Sequence, residues 1–572
     1  MTESEGAARA SRHGGRLLVE CLVALGARRA FGVPGESFLA VLDALHDTRG
    51  RLDFVNCRHE GGAAFMAAAW GKLTGMPGIA MVTRGPGATN AAIGVHTAMQ
   101  DSSPMLLLVG QVGTRMRGRE AFQELDYRAV FGTMAKWAVE LDHADRIPEI
   151  VARAWKTAVT GRPGPVVIAI PEDVTSGPAA APALAGPGHY PEPLPSPEAM
   201  ARVRAILGEA ERPILLYGGS NWTARGRAAL QSFAEASDIP VLATFRAADM
   251  LDNHSPAYCG EAGVGMMPNV RRLIREADVV LAVNNRFGEN STEGWTLLDV
   301  PVPRQRLIHS HPSEAELGKI YQPEIGIQCG PNAFVEALAA SPVRGDRAEW
   351  RREARETWEV GFDLPAQPGP VDMGRVMAHL RDALPDDAIV TNGAGNFAIW
   401  PGKFLRYGPK MRMLAPQAGA MGYGLPAAVA AKIAHPERMV VCFAGDGDFQ
   451  MNGAELATAA QEGACPIVLV LNNGTYGTIR AHQERTYPSR VSGTELANPD
   501  FAMLARAHGF HGERVERTED FADAFARAVA SPTGAVLDIA VAAEAIAPRR
   551  TLSEMRAAAL AETARARSPS SP

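Results

Sequence analysis

The stretch VVCFAGDGDFQMNGAELATAAQEGACPIVLVLNN runs from Val440 to Asn473, and its reading decides the fold. Val440–Ala444 is a short β-branched and aliphatic run that stops at Gly445-Asp446-Gly447. Ile467–Leu471 is a second such run, stopping at Asn472-Asn473. The residues between are Ala-rich, and a helix is predicted near Asn452 to Glu462. Strand, helix, strand in this order makes two parallel neighbours whose C-terminal ends lie roughly 5 Å apart. Asp446 and Asn473 then reach one hard cation with oxygen ligands, and Gly445 and Gly447 omit the side chains that would block a phosphate. The helix would turn its first N–H groups toward that anion. An isolated GDG turn is common and carries little. The asparagine pair, with 24 residues between it and the GDG, is what points to magnesium carrying a diphosphate.

The same alternation extends through the chain. Ile79–Val82, Met105–Val109 and Val166–Ile170 are strand-like, as are Pro213–Tyr217, Val241–Ala243, Val279–Val283 and Ala388–Thr391, with Ala-rich helical stretches between. Two Pro- and Gly-rich breaks, Ser176–Pro195 and Gly361–Pro370, cannot sustain a helix or strand. The charged Arg344–Trp358 segment before the second break reads as a connecting helix. The fold class expected is α/β, with three doubly wound parallel-sheet domains. The boundaries fall at residues 1–175, a linker 176–195, a central Rossmann-like domain 196–345, a linker 346–370, a third domain 371–545, and a tail 546–572 holding one helix, Leu552–Arg567, and a disordered-looking SPSSP end.

Composition excludes several classes. The 572 residues are 46% hydrophobic and 21% charged, with a net charge of −6 and no basic stripe, so nucleic acid is not an expected partner. No apolar run reaches the ~18–20 residues a membrane-spanning helix needs. The N-terminal Met1–Gly15 lacks the apolar core of a secretory signal. Six scattered cysteines without a CxxC pair suit a reducing cytoplasm, and a cytoplasmic location is expected.

Other motifs stand apart from the first. Arg58-His59-Glu60 follows the strand-like Leu52–Cys57 and opens an Ala-rich helix, Gly61–Thr74. Read alone, Glu60 is a first-turn acid stabilised by the helix dipole. Asn392–Phe397 is NGAGNF, Ala415–Pro426 is APQAGAMGYGLP, Arg84–Asn90 is RGPGATN, and Glu120–Glu124 is EAFQE. Alone, the Met421 turn is a helix start with a core residue, and Gln123 is a solvated helix residue.

Taken together, GDG…NN resembles the thiamin diphosphate signature. From about Gly15 to Ala547 the chain is similar to the acetolactate synthase/pyruvate decarboxylase-type family, of the large catalytic subunit type. The resemblance implies a pyrimidine-binding first domain and a diphosphate-binding third domain. It implies that Asp446, Asn473 and the carbonyl of Thr475 hold Mg2+, and that Gly445, Gly447, Asp448, Asn396 and Phe397 lie at the diphosphate. It places Glu60 against the aminopyrimidine ring as the catalytic acid/base, Met421 under the cofactor and the Gly419 carbonyl at its amino group. Gln123 would project toward the substrate. Glu60 and Asp446 lie in different domains that meet across a subunit interface in this family, so a homodimer or homotetramer is implied.

The expected activity is decarboxylation of a 2-oxo acid and ligation of the remaining fragment to a carbonyl acceptor. Two alternatives stay open: a decarboxylase that does not ligate, acting on a 2-oxo acid or an acyl-CoA, and a non-catalytic cofactor-binding regulatory protein. The resemblance thins in the middle. The elements that hold FAD in acetolactate synthases read here as Gly260-Glu261-Ala262-Gly263, Gly288-Glu289-Asn290 and His309-Ser310-His311, which puts FAD in doubt. The arginine that anchors the second substrate's carboxylate is replaced by Asn290, and the family's Met and Trp after NN are Thr478 and His482. His309 and His311, two apart on a strand, could also present a metal pair. His96 and His482 are further candidates for acid/base work on the substrate.

Overall fold

Three parallel six-stranded sheets make up the frame in the computed structural model, which describes residues 12–567. The first eleven residues and the SPSSP end lie outside it. The chain divides into two compact units, residues 1–191 with 429–434, and the remainder.

The first unit carries β1 (Arg29–Gly32), β2 (Asp53–Asn56), β3 (Gly78–Val82), β4 (Met105–Gln111), β5 (Trp137–Glu140) and β6 (Pro165–Pro171), in the order β2-β1-β3-β4-β6-β5. Every residue of β3, β4 and β6 is buried, as strands covered by helices on both faces must be. That double burial is why these strands read as unbroken apolar runs.

The second unit holds two sheets. One contains β7 (Pro213–Tyr217), β8 (Val241–Thr244), β9 (Tyr258–Ala262), β10 (Val279–Val283), β11 (Arg306–His311) and β12 (Ile325–Gln328), in the order β12-β11-β10-β7-β8-β9. This is the doubly wound dinucleotide-fold order, with its switch point between β7 and β10. The other contains β13 (Ile389–Asn392), β14 (Arg412–Leu414), β15 (Val440–Gly445), β16 (Ile467–Asn472), β17 (His511–Val515) and β18 (Ala535–Ala540), in the order β14-β13-β15-β16-β18-β17. This repeats the strand order of the first unit. Its switch point falls between β13 and β15, the first pair from which the chain moves in opposite directions.

Three local differences from the sequence reading have simple causes. The helix after β15 begins at Asp446, not near Asn452, because Gly445 is extended and the Asp446 and Asp448 carboxyls occupy the first turn. It runs Asp446–Asn452, and Leu456–Glu462 continues it after one 3₁₀ turn at Gly453–Glu455. Gln123 lies in a loop with φ +65°, not on a helix, and its carbonyl accepts from Gly85 N at 2.9 Å. His309 and His311 hold no metal pair: His309 Nε2 lies 2.8 Å from the Asn285 carbonyl, and His311 Nδ1 accepts from Ser313 N at 3.0 Å. Among the described residues no group of three His, Cys, Asp or Glu could hold a metal ion. Nor, among the described residues, is any helix long and apolar enough to cross a membrane.

Candidate active site

Pairing of β15 with β16 sets Gly445 beside Leu471, so Asp446 and Asn472-Asn473 leave the sheet side by side. Pairing of β13 with β15 brings the 393–397 turn to the same edge. A cavity of about 190 Å³ opens there, at the C-terminal strand ends and the switch point. Asn396, Phe397, Gly419, Met421, Gly445, Asp446, Gly447, Asp448, Asn473 and Thr475 all line it. Ten predicted positions from four separate stretches therefore meet in one cavity.

Asp446 is the most constrained of them. Its Oδ1 accepts from Gly447 N at 2.9 Å, and its Oδ2 accepts from Gly474 N at 2.8 Å and Asn498 Nδ2 at 2.7 Å. Burial raises its pKa, and these three donors work against the rise. Oδ1 carries one hydrogen bond and keeps lone-pair capacity toward the cavity. With the Asn473 amide oxygen and the Thr475 carbonyl, the donor set is all oxygen, which is what magnesium selects. The two glycines leave no room for a side chain. A Cβ on Gly445 would lie 2.8 Å from the Phe397 ring, and one on Gly447 would lie 2.5 Å from Tyr476.

Asp448 does different work from its neighbour. It is buried, and Oδ1 accepts from Ala394 N at 3.0 Å and Gly422 N at 2.9 Å. One carboxylate oxygen thus ties the 393–397 turn to the Met421 turn. Burial pushes its pKa up to about 7, and the two amides oppose that. Asn396 is fixed by its Nδ2, which donates to the Ile546 carbonyl at 3.3 Å. Gly419 has φ +66°, a conformation that glycine adopts without strain.

In the first unit, Glu60 is the first residue of the helix Glu60–Thr74 and is half-buried. His59 caps that helix, its Nδ1 accepting from Gly61 N at 3.0 Å. Asn90 Nδ2 donates to Glu60 Oε2 at 2.9 Å, while Oε1 lies by Gly87. Asn90 and Gly87 both belong to the RGPGATN motif, so two separately noted motifs converge on the carboxylate. His96 and His482 are exposed, and neither lines the cavity.

Reading the sequence missed three features. Asn498 anchors Asp446 from a loop 52 residues downstream. Tyr476 closes one wall of the cavity, and Val541 and Ala545, just beyond β18, form another. None belongs to a recognisable motif, and only the Asn472-Asn473 pair, whose first member also bonds Asn498 Nδ2 at 2.9 Å, hinted at more polar partners.

Three family models match in register with the three sheets: the N-terminal TPP binding domain of thiamine pyrophosphate enzymes over residues 12–130, their central domain over 200–338, and their C-terminal TPP binding domain over 393–539. The chain belongs to the thiamine pyrophosphate enzymes. Within them it is similar to the acetolactate synthase large subunit of Parasynechococcus marenigrum, 34% identical over 546 residues that span 92% of this chain and 87% of that one. It is 31% identical over 509 residues to the acetolactate synthase isozyme 2 large subunit of Escherichia coli, spanning 89% and 91%. A Corynebacterium glutamicum acetolactate synthase large subunit is 32% identical over 533 residues. The protein is therefore an acetolactate synthase-like, thiamin diphosphate-dependent enzyme, and the non-catalytic alternative is set aside.

Proposed function

We propose that this enzyme takes a 2-oxo acid, releases carbon dioxide and joins the remaining acyl carbon to a second carbonyl compound. The observation that carries ligation over simple decarboxylation is the likeness to acetolactate synthase large subunits, 34% and 31% identical over 92% and 89% of this chain. The cavity lining, with Phe397, Trp400, Leu471, Ile479, Val541 and Ala545, is largely apolar.

Thiamin diphosphate, when bound, supplies the electron sink that lets the carboxyl group leave. Asp446, Asn473 and the Thr475 carbonyl would hold Mg2+, and Gly445, Gly447, Asn396 and Phe397 would accommodate the diphosphate. Asp448 keeps two turns in register. Met421 and Gly419 form the cradle toward the pyrimidine. Glu60, with Oε2 fixed by Asn90, exchanges a proton at Oε1. Gln123 is the residue proposed to meet the substrate.

The reading extends to assembly as a homodimer or homotetramer. Phe122 is 70% exposed and Ile93 43% exposed, which supports self-association of the first unit. Six cysteines without a disulfide support a cytoplasmic location. FAD is not part of the proposal: Asn284 Nδ2 donates to the Ser220 carbonyl at 2.9 Å, across the β7–β10 switch point where a nucleotide would lie. The deciding experiment is carbon dioxide release from pyruvate with thiamin diphosphate and magnesium, with and without an acceptor aldehyde or 2-oxo acid. A 2-hydroxy ketone or 2-hydroxy acid that forms only with Glu60 intact supports ligation; free aldehyde as the sole product refutes it.

A further inference from the structure

A buried arginine of the central fold reaches the turn that lines the cofactor cavity. Arg246 follows β8, is 8% exposed, and has φ +64°, a left-handed conformation that costs a branched or long residue energy. Such a conformation persists only where the surroundings hold it. Here the backbone N–H of Arg246 faces Glu261 Oε1 at 3.4 Å, and the guanidinium lies 4.8 Å from the Phe245 ring centre. The strained backbone directs the side chain out of its own sheet. Its Nη1 lies 3.4 Å from Asn392 Oδ1 and 3.4 Å from the Ala398 carbonyl.

Those two acceptors bracket one segment. Asn392 ends β13, Ala398 closes the following 3₁₀ turn, and between them stand Ala394, Gly395, Asn396 and Phe397, all in the cavity wall. A single charged group therefore spans both ends of the NGAGNF turn. A second cation sits beside it. Lys403 is half-buried, its Nζ lies 3.4 Å from the Glu261 carbonyl, and its pKa is lowered by desolvation and by Arg246, with Glu261 opposing. Asp448, which accepts from Ala394 N of the same turn at 3.0 Å, also feels the Arg246 charge, so the guanidinium acts on this turn directly and through that carboxyl.

We propose that Arg246 is a positioning residue: it clamps the 392–398 turn from the central fold in the shape that receives the cofactor's diphosphate. The proposal rests on the thiamin diphosphate reading of the cavity. It makes cofactor retention depend on a domain that contributes no side chain to the cavity lining.

The test is a titration of apo-enzyme with thiamin diphosphate and Mg2+, read by the fluorescence of Trp400 in the cavity wall, beside the melting temperature of each apo-protein. Arg246→Met should weaken cofactor binding at least tenfold with the apo melting temperature within about 3 °C of wild type. Arg246→Lys keeps the charge but not the two-ended reach, and should fall between, about three- to fivefold weaker. Saturating cofactor should restore most of kcat in both. Wild-type affinity in Arg246→Met overturns the proposal, as does a loss of affinity that merely follows a fall in apo melting temperature. If Arg246→Met fails to fold, Arg246→Lys decides alone, and wild-type affinity there overturns it. Failure of the wild-type protein to bind the cofactor would instead sink the underlying reading, so the two failures are distinct.

Discussion

Asn498 Nδ2 donates to Asp446 Oδ2 at 2.7 Å and to Asn472 Oδ1 at 2.9 Å, so one amide joins the ends of β15 and β16. Groups that orient a metal ligand typically contribute 10–100-fold to metal affinity. Asn498→Ala should therefore weaken Mg2+-dependent cofactor binding by about tenfold, measured by magnesium titration at fixed thiamin diphosphate. An unchanged magnesium dependence would show that Asp446 is held adequately by its two backbone donors.

Replacing Asp446 itself goes further. Asp446→Ala removes the carboxylate proposed to hold the cation, and magnesium and diphosphate should be lost together. Gel filtration of a loaded sample followed by metal and cofactor analysis gives the answer. Retained holoenzyme would falsify the ligand assignment.

Gly447→Ala tests the cradle without touching charge. The added Cβ sits 2.5 Å from Cε1 of Tyr476, so the ring or the turn must shift. Overpacking of this kind costs about 1–3 kcal/mol. Cofactor affinity should fall roughly tenfold, while Tyr476→Ala in the same chain should recover part of it. No recovery in the double variant would place the clash elsewhere.

For Glu60→Gln, the expected result is a fall in carbon dioxide release of about 10²–10⁴-fold, the usual contribution of a general acid–base group. Cofactor affinity should stay within a few-fold, because the amide still meets Asn90. Turnover equal to wild type would remove Glu60 from the chemistry.

Glu484 and Arg556 fasten the helix Leu552–Arg567 to the helix Gly477–Thr486. Arg556 Nε donates to Glu484 Oε2 at 2.8 Å and Nη2 to Oε1 at 2.7 Å, and Arg480 also reaches Oε1. These partners, Arg556 first, hold the Glu484 carboxyl down at about 2. A carboxyl whose folded pKa is depressed contributes stability above its unfolded value of about 4.3, lost as pH falls through the folded value. Pepsin cleavage of the 552–567 segment should therefore rise steeply between about pH 4.3 and 2. Arg556→Ala should expose the same segment to thermolysin already at pH 7. Equal cleavage of variant and wild type there would mean the apolar contacts of Leu552 with Ala481 and Ile546 suffice.

Much of this architecture could be read from residues alone, for a physical reason. Strands buried on both faces must be continuously apolar, so Pro213–Tyr217 and Val279–Val283 coincide with their predicted limits, most others extend them by a residue or two, Ala388–Thr391 shifts by one to Ile389–Asn392 and Leu52–Cys57 shortens to Asp53–Asn56. Glycine-rich turns after such strands mark where a ligand approaches backbone, which singles out GDG, while NGAGNF and APQAGAMGYGLP are placed at the site by their resemblance to the thiamin diphosphate family. The start of the helix at Asp446 escaped because its first turn is built from Gly and Asp, which carry no helical periodicity.

The sheet class and the oxygen-ligand and phosphate character of the GDG…NN site are legible in the chain alone, because each is encoded in a short run where local chemistry and local backbone agree, while the cofactor class and the other cavity residues follow from the family resemblance. The tertiary structure alone decided what supports them. Asn498, Asp448's hold on two turns, and Arg246's reach to Asn392 join positions between 26 and 146 residues apart. Such contacts have no period and no motif. They exist only once parallel strands have set distant loops on one edge of a sheet, where a buried polar atom must find a partner.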